Sequence, residues 1–178
     1  MNGQKRPIAL IGLMGAGKSS VARILAQRLG VVLVDLDDQI QTASGKSVAE
    51  LFRTEGEPAF RRHESAVLRA ALAADGATGV LDCGGGVVLD PAHRALLRER
   101  CRTVWLEVDP DEAARRIAAD GNGRPLLDGE PAARRLAALL AERAPLYRDA
   151  AGLRVPTSAR SPEEVAGDIL SRLAEGET

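Results

Sequence analysis

The stretch Gly12-Leu13-Met14-Gly15-Ala16-Gly17-Lys18-Ser19 narrows the possible folds of this chain more than any other feature. It satisfies G-x-x-x-x-G-K-S, the spacing of a phosphate-binding loop. It stands between the apolar run Ile8-Ala9-Leu10-Ile11 and a helical pattern of Val21, Ile24, Leu25 and Leu29. Strand, loop and helix in that order separate a working loop from a Gly-rich turn that happens to end in Lys-Ser. Glycines let the backbone curl until successive N–H groups point into one concavity and hold phosphate oxygens. The following helix adds the positive end of its dipole. Lys18 is placed to reach the outer phosphates, and the Ser19 hydroxyl to coordinate magnesium. Gly15, Ala16, Gly17, Lys18, Ser19 and Ser20 are therefore the expected contacts to a nucleoside triphosphate.

Composition bounds the rest. With 178 residues, 45% of them hydrophobic, the chain suits one domain with a sizeable core. Its 24 basic and 25 acidic residues leave a net charge of −1, so no bulk field favours nucleic acid or an acidic membrane. No apolar run approaches the roughly 20 residues that span a bilayer. The start, Met1-Asn2-Gly3-Gln4-Lys5-Arg6, lacks the apolar segment of a signal peptide. Cys83 and Cys101 show neither zinc spacing nor a disulfide framework and read as cytosolic thiols. A cytoplasmic location is expected.

Apolar strands alternate with amphipathic helices, which predicts a parallel sheet covered on both faces. The strands are expected at residues 7–12, 31–35, 79–83, 103–108 and 153–156. Gly30 sits where a glycine ends the first helix. Asp109-Pro110-Asp111-Glu112 and Ser161-Pro162-Glu163-Glu164 each combine a cap, a proline at the first helical position and an acidic third position. Two insertions interrupt the alternation. Residues 36–74 hold short helices with breaks near Gly45 and Gly56. Residues 119–131 are rich in Gly, Pro and Asp around Arg124, the composition of a mobile lid over an active site.

A phosphate loop fixes the donor but not the acceptor. Ligands of open α/β sheets gather at the strands' C-terminal edge, where the second strand ends in Asp35-Leu36-Asp37 and the third in Asp82-Cys83-Gly84-Gly85-Gly86. Asp35 and Asp37, two residues apart at a strand end, are expected to face one cleft. One would help hold hydrated magnesium and the other bond an acceptor hydroxyl, with Asp38 open to serve as a helix cap. Gly84, Gly85 and Gly86 would let backbone approach a ligand closely. Asp82 fits either the acidic residue that orients magnesium's water shell or a cap of the glycine turn. Among the arginines, Arg61, Arg124 and Arg143 stand out by position. Two converging arginine forks would select an acidic small molecule. Proline at 145 is expected to stop the helix that carries Arg143. His63 and His93 form no nucleophilic or metal constellation.

Taken in order, Gly-Leu-Met-Gly-Ala-Gly-Lys-Ser, Val-Asp-Leu-Asp-Asp-Gln-Ile, Gly-Lys-Ser-Val-Ala-Glu-Leu-Phe, Gly-Glu-Pro-Ala-Phe-Arg-Arg-His-Glu, Gly-Gly-Gly-Val-Val, Arg-Pro-Leu-Leu and Arg-Ala-Pro-Leu-Tyr resemble the shikimate kinase family. The resemblance spans nearly the whole chain. It implies a three-layer α/β/α P-loop kinase fold with a central five-stranded parallel sheet, a helical substrate-binding segment and a mobile lid. It implies ATP-dependent phosphorylation of the shikimate 3-hydroxyl within aromatic amino-acid biosynthesis, with Mg2+ and by a monomer. By the family pattern Ser19 and Asp35 support the metal, Asp37 binds the acceptor hydroxyls, and Arg61 and Arg143 hold its carboxylate with Gly85 nearby. Lys18, Asp37 and Arg124 would act in catalysis, Arg124 closing over ATP from the lid. Arg116, Arg160 and Pro162 match adenine-side positions, although the spacing before Arg124 leaves Arg115 open in place of Arg116. Asp82 stands where the family pattern calls for a small or uncharged residue. Gluconate or another small hydroxylated acid is the alternative acceptor. A second nucleotide base would call for aromatic stacking, and only Phe52, Phe60, Trp105 and Tyr147 are aromatic.

Overall fold

All five expected strands form, and all pair in parallel. They are β1 (Ile8–Ile11), β2 (Leu33–Asp35), β3 (Val80–Asp82), β4 (Arg102–Glu107) and β5 (Leu153–Pro156). The structure is a computed structural model and describes residues 6–73, 79–119 and 131–175. The sheet runs β2-β3-β1-β4-β5, so the strand that feeds the phosphate loop is central. In register, Ile8 lies beside both Val80 and Arg102, and Asp35 beside Asp82. β2 is shorter than expected because Gly30, at φ 64, ends the preceding helix. Its Val31 neighbour still donates to Ala26 (3.1 Å) and is used up in the helix exit.

The helices are α1 (Lys18–Leu29), α2 (Leu36–Ser44), α3 (Val48–Leu72), α4 (Pro91–Arg100), α5 (Pro110–Ala119), α6 (Ala132–Ala150) and α7 (Pro162–Glu175). Both proline-marked starts form as the sequence predicts. The Asp109 carboxylate accepts from the N–H groups of Asp111 (2.9 Å) and Glu112 (3.3 Å). Ser161 and Glu164 cap one another at 3.2 and 2.7 Å, a reciprocal capping box.

Alternation along β1 builds a core on each face of the sheet. Ile8 and Leu10 join α1, α5 and α7, while Ala9 and Ile11 join α3, α4 and α6. Leu10 is fully buried, and truncating such a residue to alanine costs about 2–5 kcal/mol.

Two helices depart from the sequence expectation. The break at Gly56 (φ 78, ψ 173) is a kink within α3, with Pro58 just beyond it, where a missing N–H is tolerated. Pro145 does not end α6, which continues to Ala150. The half beyond the proline is anchored by fully buried Tyr147 and Ala150, and Tyr147 stacks on Trp105 at 5.7 Å. That packing outweighs the lost backbone bond. The expected lid, apart from its end residues, and Arg124 with it, lies outside the described residues.

Candidate active site

Because every strand points the same way, the ends of β1, β2 and β3 converge at one edge. There a cavity of about 240 Å³ opens. Its lining includes Lys18 and Ser19 from the phosphate loop and helix, Asp35 and Asp82 from the strand ends, and Asp37 from the start of α2. Arg61 and Arg143 complete it across Gly84, Gly85 and Gly86. The expected acceptor residues are thus brought together.

The phosphate loop needs its glycines for reasons visible in its contacts. Gly15 has φ +78, and a Cβ there would come within 2.8 Å of the Ala113 carbonyl oxygen. Lys18 curls over the loop, donating to the carbonyls of Gly12 (3.1 Å) and Leu13 (3.2 Å). The loop's carbonyls thereby hold the ammonium group above the cleft.

Asp35 and Asp37 both line the cavity, though not by strand alternation. Asp35 is the N-cap of α2, its Oδ1 accepting from the N–H groups of Asp37 (2.9 Å) and Asp38 (3.2 Å). Asp37 already lies in the first helical turn, where its charge also suits the helix dipole. The cap is therefore Asp35 rather than Asp38.

Asp82 is 6% exposed and lines the same cavity as Ser19 and Lys18. Burial raises its carboxyl above the ordinary value, and the nearby Asp35 and Asp37 push the same way. Lys18, and Ser19 after it, pull it back only in part.

Arg61 points the Nη1–Nη2 edge of its guanidinium at the glycine loop: a Cβ on Gly86 would stand 2.6 Å from its Nη1 and 2.9 Å from its Cζ. Only a glycine admits that approach. Its Nη1 meets Glu64 at 2.7 Å and its Nη2 meets Glu57 at 3.0 Å. Burial alone would lower the Arg61 pKa, but the two carboxylates outweigh it and raise it. From the opposite wall, Arg143 Nη1 reaches the Gly85 carbonyl oxygen (3.3 Å), while its buried Nε has no hydrogen-bond partner. Tyr147 donates to the same oxygen at 2.6 Å. Glu64, 2% exposed, is the residue that sequence reasoning missed. Its signal was the spacing of three from Arg61, which places both on one helix face.

On the other side of the phosphate loop, Arg116 spans two elements. Its Nη2 donates to Thr157 (2.8 Å) and its Nη1 lies 3.4 Å from the Gly15 oxygen. Arg115 points away, 74% exposed and paired with Glu112. Arg160 is tied to Asp168 (3.0 Å) and to the Pro156 carbonyl (3.0 Å), beside Pro162 at the start of α7.

A phosphate loop flanked by an arginine-walled acceptor cavity, on a central parallel sheet, defines a P-loop small-molecule kinase. The shikimate kinase family model matches residues 14–174. The chain is 48% identical over 164 residues to the shikimate kinase of Mycobacterium tuberculosis, covering 92% of this chain and 91% of that one. It is 41% identical to that of Symbiobacterium thermophilum, covering 94% and 96%. Among solved structures, the shikimate kinase from Acinetobacter baumannii in complex with shikimate superposes with a TM-score of 0.89 at 34% identity, covering 97% of this chain and 94% of the other. The chain belongs to the shikimate kinase family.

Proposed function

We infer that this chain transfers the γ-phosphoryl group of ATP to the 3-hydroxyl of shikimate, giving shikimate 3-phosphate. The observation that carries the reading is the pairing of Arg61 and Arg143 across the glycine loop within one cavity. The buried, unpartnered Nε of Arg143 is a donor in reserve for an anionic group. The acceptor's carboxylate would lie between the two guanidinium groups, leaving its ring hydroxyls toward Asp37. Asp37 would orient the attacking hydroxyl and accept its hydrogen bond. The α2–α3 portion of residues 36–74 would then be the acceptor-binding segment of a single domain.

On the donor side, the backbone of Gly15, Ala16 and Gly17 would cradle phosphate oxygens, with Ser20 beside them. Lys18 would leave the loop carbonyls for the charge that develops on the transferring group. Arg116, Arg160 and Pro162 would border the adenine, and the geometry favours Arg116 over Arg115. Arg124 would complete the charge clamp from residues 119–131.

The oxygen donors near the loop, Ser19, Asp35 and Asp82, suit a hard cation of the Mg2+ type. Among the described residues no cluster of three or more His, Cys, Asp or Glu forms a self-sufficient metal cage. The set fits an ion that takes most of its oxygens from phosphates and water. Ser19 would ligate it directly, and Asp35 and Asp82 would hold its water. Such an ion neutralises phosphate charge during transfer. That Asp82 lines the same cavity as Ser19 and Asp35 supports this role over that of a turn cap.

No described helix is long and apolar enough to cross a membrane. The near-neutral charge suits a protein that binds small molecules rather than nucleic acid, and the proposed role is that of a monomeric cytoplasmic enzyme. A coupled ADP-release assay with shikimate, gluconate and nucleoside monophosphates tests the reading. Turnover that depends on shikimate is expected, and turnover with gluconate alone would replace it.

A further inference from the structure

His93 lies on α4, outside the cavity lining, and is 1% exposed. Its Nδ1 stands 3.1 Å from the Val87 carbonyl oxygen and its Nε2 2.7 Å from Ser65 Oγ. A carbonyl only accepts, so Nδ1 carries the hydrogen of that bond. In a neutral imidazole Nε2 then accepts from the Ser65 hydroxyl. Those two partners are not arbitrary. Val87 follows Gly86, the residue that the edge of the Arg61 guanidinium abuts. Ser65 follows Glu64, the residue that pairs with that guanidinium at 2.7 Å. His93 therefore joins the loop that Arg61 abuts to the helix that carries Arg61.

The next residue makes the corresponding link to the opposite wall. Arg94 donates through Nη1 to the Val88 carbonyl (2.7 Å) and through Nε to Asp149 (2.7 Å) on α6. α6 also carries Arg143 and Tyr147, whose bonds end on Gly85. One turn of α4 thus holds the short 3-10 turn Val87–Leu89 against both walls of the cavity.

We propose that His93 is a positioning residue for acceptor binding, fixing the separation of the glycine loop and α3 through its Val87 and Ser65 bonds. The assignment rests on the acceptor reading given above. A fork that must meet a carboxylate along two bonds tolerates little displacement, so loosening this strut weakens acceptor binding before it weakens nucleotide binding. The nucleotide half stands on β1, β4 and β5 and shares none of these bonds.

The test is a double-mutant cycle of Ser65→Ala and His93→Asn. Ser65→Ala removes one hydroxyl from a helix in which alanine is well tolerated, so the protein folds. His93→Asn retains an N–H donor for Val87 and gives up the Ser65 bond. Each change is expected to raise KM for shikimate roughly three- to tenfold, while KM for ATP stays within about twofold. The double variant is expected to be no worse than either single one, because all three lack the same bond. A second readout needs no substrate: hydrogen exchange at the Val87 and Leu89 amides, which close the turn on Gly84 (3.2 Å) and Gly86 (3.0 Å), should accelerate. Unchanged exchange, or faster exchange with unchanged KM for shikimate, overturns the assignment. Equal rises in both Michaelis constants overturn it as well. Wild-type protein that spends no ATP on shikimate would instead overturn the functional reading, and would do so before any variant is made.

Discussion

Tyr147 donates its phenolic hydrogen to the Gly85 carbonyl oxygen across 2.6 Å, fastening α6 to the centre of the glycine loop. Arg143 reaches the same oxygen from one helical turn earlier. Burial pushes the phenol up to about 12, so it remains a donor throughout the working pH range. Phenylalanine would keep the stacking on Trp105 and lose only this bond. Tyr147→Phe is expected to cost about 1 kcal/mol of stability, roughly 2–4 °C in Tm for a chain of this size. It should also raise KM for shikimate more than KM for ATP. Thermal melts and steady-state kinetics check both, and no change in either would mean that the Tyr147 bond does not help to hold the loop.

Asp82 should trade stability for function. Its folded pKa is raised by burial, so the folded protein favours the protonated form relative to the unfolded chain. That contribution is fully present below the unfolded pKa and is lost as pH rises through the folded value. At neutral pH the charged carboxylate is therefore a cost. Asp82→Asn is expected to stabilise the protein at pH 7 by on the order of 1 kcal/mol, read as a higher Tm, and to gain progressively less toward acid pH. Turnover should fall, and the Mg2+ concentration needed for half-maximal rate should rise. A variant less stable than wild type at pH 7 would show that the attraction of Lys18 for the carboxylate outweighs the burial cost.

Lys18→Ala should leave a folded protein with little kinase activity. The Lys18 ammonium contacts two loop carbonyls and packs in no core. Losing one preorganised charge contact to the transferring group costs on the order of 3 kcal/mol or more, about a hundredfold in turnover. Near wild-type turnover at saturating ATP and shikimate would reject the phosphate role.

Neither thiol should react in the native state. Cys83 is completely buried, and burial raises its pKa well above the ordinary thiol value. Burial likewise pushes Cys101 up to about 12. Both should be labelled by a thiol reagent only at the rate of unfolding. Rapid labelling of folded protein at pH 7 would contradict this burial.

Much of this was legible in the chain because glycine, proline and capping residues act locally. The phosphate loop, the capped starts of α5 and α7 and the Gly30 stop follow from a few adjacent residues. Asp35 and Asp37 were found for a reason that the structure replaces: both reach the cleft, but a helix begins between them. Pro145 misled because its cost is local whereas the stacking of Tyr147 on Trp105 is long-range. Glu64 and the Ser65–His93–Val87 link escaped notice for a related reason. Their meaning depends on which helix face meets the glycine loop, and no single segment encodes that.

The sharpest prediction concerns the acceptor's charge. Arg61 and Arg143 should converge on one carboxylate, which calls for planar forks that lysine does not reproduce. Arg61 is held for that task by Glu57 and Glu64 at 3.0 and 2.7 Å. Either Arg→Lys change should raise KM for shikimate by roughly tenfold or more, equivalent to ~1.4 kcal/mol. KM for ATP should move much less, since the phosphate loop is a separate element. Shikimate amide, which lacks the charge, should be a poor substrate for wild type. It should also be less sensitive to either substitution, because the contact those changes weaken is already diminished. Equal use of acid and amide by wild type would sink the carboxylate clamp and reopen the choice of acceptor. Arginine variants whose defect is confined to ATP binding would do the same, since they would move both forks from the acceptor cavity to the donor side.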